Sequence, residues 1–171
     1  MGEKGERIVR WGILGAGKIA HRFARSLSHD SRCELAAISC RSAAKAEAFA
    51  LEHGVPESGA LSDESLGGVA GTAHSALLAM PDVDAVYLAL PHGMHLEWGG
   101  AALRAGKAVL CEKPLCVSAE ETLRLAEVSR ETGSLLMEGM KTRFLPVYQR
   151  VRELVADGAI GRLERVEAVL Q

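Results

Sequence analysis

Aromatic residues are scarce in this chain of 171 residues: Phe, Trp and Tyr make up 4% of it, against 48% hydrophobic residues overall. Its core must therefore be built mainly from Ala, Leu and Val. Excess charge is lacking as well. Twenty Lys and Arg stand against 22 Asp and Glu, a net charge of -2, which gives no electrostatic pull toward nucleic acid or an anionic membrane surface. The four cysteines, Cys33, Cys40, Cys111 and Cys116, contain no C-x-x-C pair, and the first three lie beside or inside apolar runs. Buried free thiols are expected rather than disulfides or a metal site. No apolar segment approaches membrane-span length, and the opening MGEKGERIVRW carries charges where a signal peptide would carry an apolar stretch. A reduced, cytosolic protein with no membrane partner is the expectation.

Strand-like apolar runs alternate with helix-like segments along most of the chain. Residues 7–14 form a short β-favouring run, and 18–28 then carry Ile19, Ala20, Phe23, Ala24 and Leu27 at helical spacing. The unit repeats with 35–40 as strand and 43–51 as helix. Residues 57–72 lose all periodicity in Gly, Ser and Asp and read as loop or disorder. Order returns with a short helix near 74–80, a strand over 83–90, a helix over 96–105 and a strand over 108–111. A helix over 119–131 follows, opened by the capping box of Ser118 and Glu121. A short strand over 135–138, a helix over 146–156 opened by Pro146, and a last strand over 163–171 complete the pattern. Parallel crossovers need a helix to cover the sheet, so the alternation predicts an α/β fold with a doubly wound parallel sheet. Ligands of such sheets bind outside the carboxyl ends of the strands, where the strand order reverses.

Four stretches fall at that address. Gly15-Ala16-Gly17-Lys18-Ile19-Ala20 is a G-x-G-x-x-A run between the first strand and the first helix. Glycine there permits a tight turn and close approach of a pyrophosphate, whose charge the free amides of the helix start would favour. A merely tight connection is the bland alternative. After the second strand the sequence offers Arg41 and Ser42 where an NAD site would place an acid. Arg41 can pair with a 2′-phosphate and Ser42 can donate to it, which favours NADP over NAD; otherwise Arg41 is solvated and Ser42 caps the second helix. Leu90-Pro91-His92-Gly93-Met94-His95 leaves the strand over 83–90. His92 would line the nicotinamide end, with His95 in the next helix bonding to backbone. No metal is expected, because these two imidazoles lack further ligands nearby. Glu112-Lys113-Pro114 leaves the strand over 108–111, aiming Lys113 at the same cleft unless it is only a solvated lysine in a proline-ended turn.

Taken together, the G-x-G-x-x-A run, the Pro91–His95 turn and Glu112-Lys113-Pro114 resemble the glucose-fructose oxidoreductase and inositol dehydrogenase (Gfo/Idh/MocA) family. The likeness covers nearly the whole chain. Residues 136–144 and Arg41 look most like its branch of dimeric dihydrodiol dehydrogenases and related sugar reductases. The resemblance implies a Rossmann domain over 1–144, with 145–171 holding the helix and first strand of a C-terminal α+β domain for substrate and dimerisation.

It also implies hydride transfer between NADP and a CH–OH group of a sugar, polyol or cyclic diol. Lys113 matches the family's catalytic lysine, which orients the substrate hydroxyl and assists its proton transfer. Gly15, Gly17, Lys18, Ile19, Arg41, Ser42, Leu90, Pro91, His92, His95, Glu112 and Lys113 match its cofactor-binding positions. Family members run to about twice this length, and the second catalytic histidine of their other half has no counterpart here. Residues 57–72 look like an insertion against the family's short link. A non-catalytic NADP-binding module, or a fragment that pairs with a fuller subunit, is the alternative. An uncovered strand over 163–171 would be a pairing edge and a route to a homo-oligomer.

Overall fold

The computed structural model describes residues 7–169. The chain divides into two compact units, one ending at Gly139 and the other beginning at Met140. In the first, β1 (Val9–Leu14), α1 (Lys18–Leu27), β2 (Cys33–Cys40), α2 (Ala43–His53), β3 (Ala60–Ser62) and α3 (Thr72–Ala79) come first. After them come β4 (Ala85–Leu88), α4 (His95–Arg104), β5 (Ala108–Cys111), α5 (Ala119–Thr132) and β6 (Leu136–Glu138). The six strands lie in the order β3-β2-β1-β4-β5-β6, and every pairing is parallel. The order reverses between β1 and β4, as the doubly wound expectation requires.

Alternating side chains sort the core onto the two faces of the sheet. Ile13, Ile38 and Tyr87 pack with Ala20, Ala24 and Phe49, the inward residues of α1 and α2. Leu14, Val86 and Leu88 point the other way, into a cluster with Leu77, Trp98, Leu103 and Leu125 from α3, α4 and α5. A strand buried on both faces has no polar side to show, which is why all four residues of β4 are buried. Burying each of these large side chains contributes about 1.5–3 kcal/mol, so the strands that carry the site are also the most firmly held. All four cysteines are free thiols, three of them buried.

Residues 57–72 depart from the loop or disorder expected of them. Residues 57–59 form a 3-10 turn and β3 pairs with β2 through Ile38↔Ala60 to Cys40↔Ser62. The rest is tied to Asp63, whose carboxylate accepts from the amides of Gly71 (3.1 Å) and Ala73 (2.9 Å). A strand of three residues is too short to show periodicity, and a side chain that caps a helix ten residues away has no local signature. Helix α5 starts as expected, with the Ser118 hydroxyl accepting from the Glu121 amide at 3.1 Å.

The second unit holds a 3-10 turn at 141–144 and α6 (Pro146–Ala156), with Pro146 in its first turn. The strand expected over 163–171 is not formed across 163–169, which carry neither helix nor strand. A strand exists only with a neighbour's ladder, and these residues have none among those described. Residues 170 and 171 lie outside the described residues. No described helix is long and apolar enough to cross a membrane.

Candidate functional site

Register builds the site. Leu14 pairs with Ser39 and with Leu88, and Leu88 with Cys111, so β2, β1, β4 and β5 end at one level. Backbone bonds carry the alignment one residue further: Gly15 N–H donates to Ser39 O (2.8 Å), Ala89 N–H to Leu14 O (2.9 Å) and Glu112 N–H to Leu88 O (3.1 Å). The turns beginning at Arg41, Gly15, Ala89 and Glu112 therefore leave the sheet side by side along its carboxyl edge. Four of the stretches singled out in the sequence thus meet at one edge, at the switch point between β1 and β4.

Gly15 has φ +98°, and a Cβ there would lie 2.6 Å from the Ala89 carbonyl oxygen. Only glycine fits. At Gly17, by contrast, nothing lies within 4 Å of where a Cβ would be, and this residue caps α1 with no side-chain bond to the first-turn amides. That turn also holds no acid. An open space in front of bare helix amides is the cradle an anionic pyrophosphate needs, and a side chain at position 17 would fill it. Lys18 and Ile19 are exposed on the same turn, while Ala20 is buried against the sheet.

At the next strand end Arg41 is exposed and Ser42 half-buried at the start of α2. Ser42 makes no capping bond with its side chain. Instead the carboxylate of Glu64, delivered by the segment after β3, accepts from the Ala43 amide at 2.8 Å. Sequence reasoning missed Glu64, because nothing local ties residue 64 to residue 43.

Leu90 is half-buried, and Pro91 and His92 are exposed in the 3-10 turn that leads into α4. His95 is fully buried. Its Nδ1 lies 3.1 Å from the carbonyl oxygens of both Pro114 and Leu115, and its Nε2 lies 3.0 Å from the Leu90 oxygen. One imidazole thus ties the turn after β4 to the turn after β5, the backbone role expected of it. The second turn is braced further by Leu115 N–H donating to Glu138 Oε1 (2.9 Å) and Gly139 N–H to Cys111 O (2.6 Å).

Glu112 is held from below. The Tyr87 hydroxyl donates to Glu112 Oε1 at 2.5 Å, and the Lys113 amide donates to Oε2 at 3.2 Å. Burial, joined by the Glu112 carboxylate, pushes the Tyr87 phenol far above its ordinary range, so it stays a donor. Tyr87 also stacks on Phe23 of α1, with ring centroids 4.0 Å apart. Its role was legible in principle, since a tyrosine in an otherwise apolar strand must send its hydroxyl to a partner. With Glu112 fixed on both oxygens, the Lys113 side chain is the exposed group at the tip of the turn, and the Lys113–Pro114 bond is cis. Cys111, beneath it, is chemically quiet: burial pushes its thiol up to about 12.

Residues 9–140 match the model of the Gfo/Idh/MocA group, described as an oxidoreductase family with an NAD-binding Rossmann fold. The chain belongs to this family. Among curated relatives of this Gfo/Idh/MocA chain, a D-xylose 1-dehydrogenase (NADP(+)) of Haloferax volcanii is 40% identical over 86% of the chain and 42% of the relative. A trans-1,2-dihydrobenzene-1,2-diol dehydrogenase of Mus musculus is 35% identical over 94% of the chain and 45% of the relative. A solved 3-ketoreductase of Actinomadura kijaniata, in complex with NADP and TDP-benzene, superposes with a TM-score of 0.75 at 36% identity. That match covers 89% of this chain and 43% of the solved one. The Gfo/Idh/MocA chain thus spans less than half the length of the relatives it matches.

Proposed function

We propose that this chain is the cofactor-binding portion of an NADP-dependent oxidoreductase that interconverts a CH–OH group and a carbonyl on a sugar, polyol or cyclic diol. The observation that carries the proposal is the common level of the strand ends, which supports reading the Lys113 turn after β5 and the bare glycine turn after β1, with the β4 turn between them, as parts of one carboxyl-edge site. Relatives named for NADP and for sugar or diol substrates support both halves of it.

Gly15, Gly17, Lys18 and Ile19 would hold the pyrophosphate, and Arg41 with Ser42 the adenosine 2′-phosphate. Leu90, Pro91, His92, His95 and Glu112 shape or brace the nicotinamide end. When bound, the nicotinamide supplies or accepts the hydride. Lys113 holds the substrate hydroxyl and moves its proton at that oxygen as the carbonyl forms or is consumed, and its charge steadies the developing oxyanion. Tyr87 acts one step back, by fixing Glu112 and so the turn that aims Lys113.

NADPH oxidation by the chain across carbonyl sugars and diketones, repeated with Lys113→Ala, tests this. Turnover should fall by about 10²–10⁴ in the variant, with NADPH affinity changed less than about twofold. Tight cofactor binding with no turnover in the unaltered chain would instead make it a binding module, and equal turnover in the variant would remove Lys113 from catalysis.

A further inference from the structure

Among residues not assigned above, α1 and α2 bring three donor groups together. His21 Nδ1 lies 2.9 Å from His53 Nε2. The Glu52 carboxylate straddles the pair, with Oε2 3.2 Å from His21 Nδ1 and Oε1 3.4 Å from His53 Nε2. We propose that His21, Glu52 and His53 form a binding site for a divalent transition-metal ion of the zinc type, with solvent at the fourth position.

Geometry favours this over a chance cluster. Donors bound at about 2.0–2.1 Å in a tetrahedron stand about 3.3 Å apart; the two nitrogens are 2.9 Å apart, each lies 3.2 or 3.4 Å from one of the two Glu52 oxygens, and one ligand atom from each residue falls within 4.8 Å of the others. Two imidazoles and a carboxylate are the ligand set that suits zinc and its neighbours rather than magnesium or calcium. The His53 side chain is only 6% exposed, its ring packed on Phe49, which also touches the His21 ring. Packing of this kind preorients both nitrogens. Glu52, half-exposed, leaves an entry path.

Charge agrees with geometry. His53 is the last residue of α2, where the helix dipole favours a cation, and Gly54 ends the helix in the left-handed conformation. Without metal, one ring nitrogen must donate to the other across 2.9 Å. On binding, that ring moves its proton to its far nitrogen, so the neutral pair need release none. Arg25, whose Nη1 lies 3.4 Å from Glu52 Oε1, is the competing cation the ion displaces.

Titration of the untagged chain with Zn²⁺ by calorimetry, and with Co²⁺ by absorption, tests the site. One ion per chain is expected, with tetrahedral d–d bands and no thiolate charge-transfer band. Affinity should drop by about 100-fold or more in His53→Gln and in Glu52→Ala, and stay unchanged in His29→Gln, whose imidazole is exposed elsewhere. Glu52→Ala, at a half-exposed position, keeps the test decisive if His53→Gln unfolds. Failure of the unaltered chain to bind Zn²⁺, binding unchanged in both ligand variants, or a cobalt spectrum dominated by thiolate would each overturn the proposal.

Discussion

At the scale of single residues, the proposed adenosine end of the site sets two opposite charges against each other. Arg41, proposed to pair with a 2′-phosphate, presents an exposed guanidinium at the end of β2, while Glu64 places a carboxylate on the first amide of α2, two residues away. Arg41→Ala should therefore weaken NADP binding by about 10–100-fold, the worth of hydrogen bonds to a charged group, and leave NAD almost unaffected. Glu64→Gln should move NADP the other way, tightening it severalfold, because glutamine can still accept from Ala43 without the repulsion. Parallel calorimetric titrations of the two variants with NADP and NAD check both. The placement of Arg41 directly after the second strand was legible from the apolar run that ends at Cys40. Glu64 was not: it reaches the site only because β3 pairs with β2, and that pairing leaves no trace in the local pattern.

At the scale of elements, the two glycines of the first turn do different work. Gly15 cannot change without strain, since an L side chain is disfavoured at φ +98° and its Cβ would strike the Ala89 carbonyl. Gly17 faces open space at an ordinary φ of -88°. Gly15→Ala should destabilise the fold by about 2 kcal/mol or more. Gly17→Ala should cost within about 1 kcal/mol of stability yet weaken cofactor binding clearly. Urea unfolding and NADPH titration of both variants separate the roles. The strands and helices of the alternating pattern were legible to within a few residues, because each helix buries one face at helical spacing and the strands, buried on both faces, read as short apolar runs. Residues 57–72 were not, for they owe their order to side chains from distant positions; across 163–169 the expected strand is not formed, and it would need a partner strand.

At the scale of the whole molecule, stability depends on imidazoles kept neutral inside it. His74 is buried between the Ser39 hydroxyl (2.8 Å) and the edge of Trp98, and burial pushes its imidazole below the ordinary range. His53 is pushed down likewise. A depressed histidine costs nothing while both states are neutral, above about pH 6.5; below that, the unfolded chain takes up protons first and the fold loses stability. The urea midpoint should therefore fall between about pH 7.5 and about pH 5.5. His74→Gln should lower the midpoint at both ends but flatten the fall, whereas an unchanged slope would remove His74 as a cause. Asp84, held well below the carboxylate range by Arg10 and Arg7, loses its contribution only as pH falls through and below the ordinary carboxylate range of about 4, outside this window.

The central claim is that the carboxyl edge around Gly15, Gly17 and Arg41 is an NADP site, and an equilibrium fluorescence titration of the chain with NADPH and NADH tests it most directly. Saturable binding of one NADPH per chain, at least about tenfold tighter than NADH, is the predicted result. Equal affinity for the two would contradict the role of Arg41, and binding of neither would contradict the site itself.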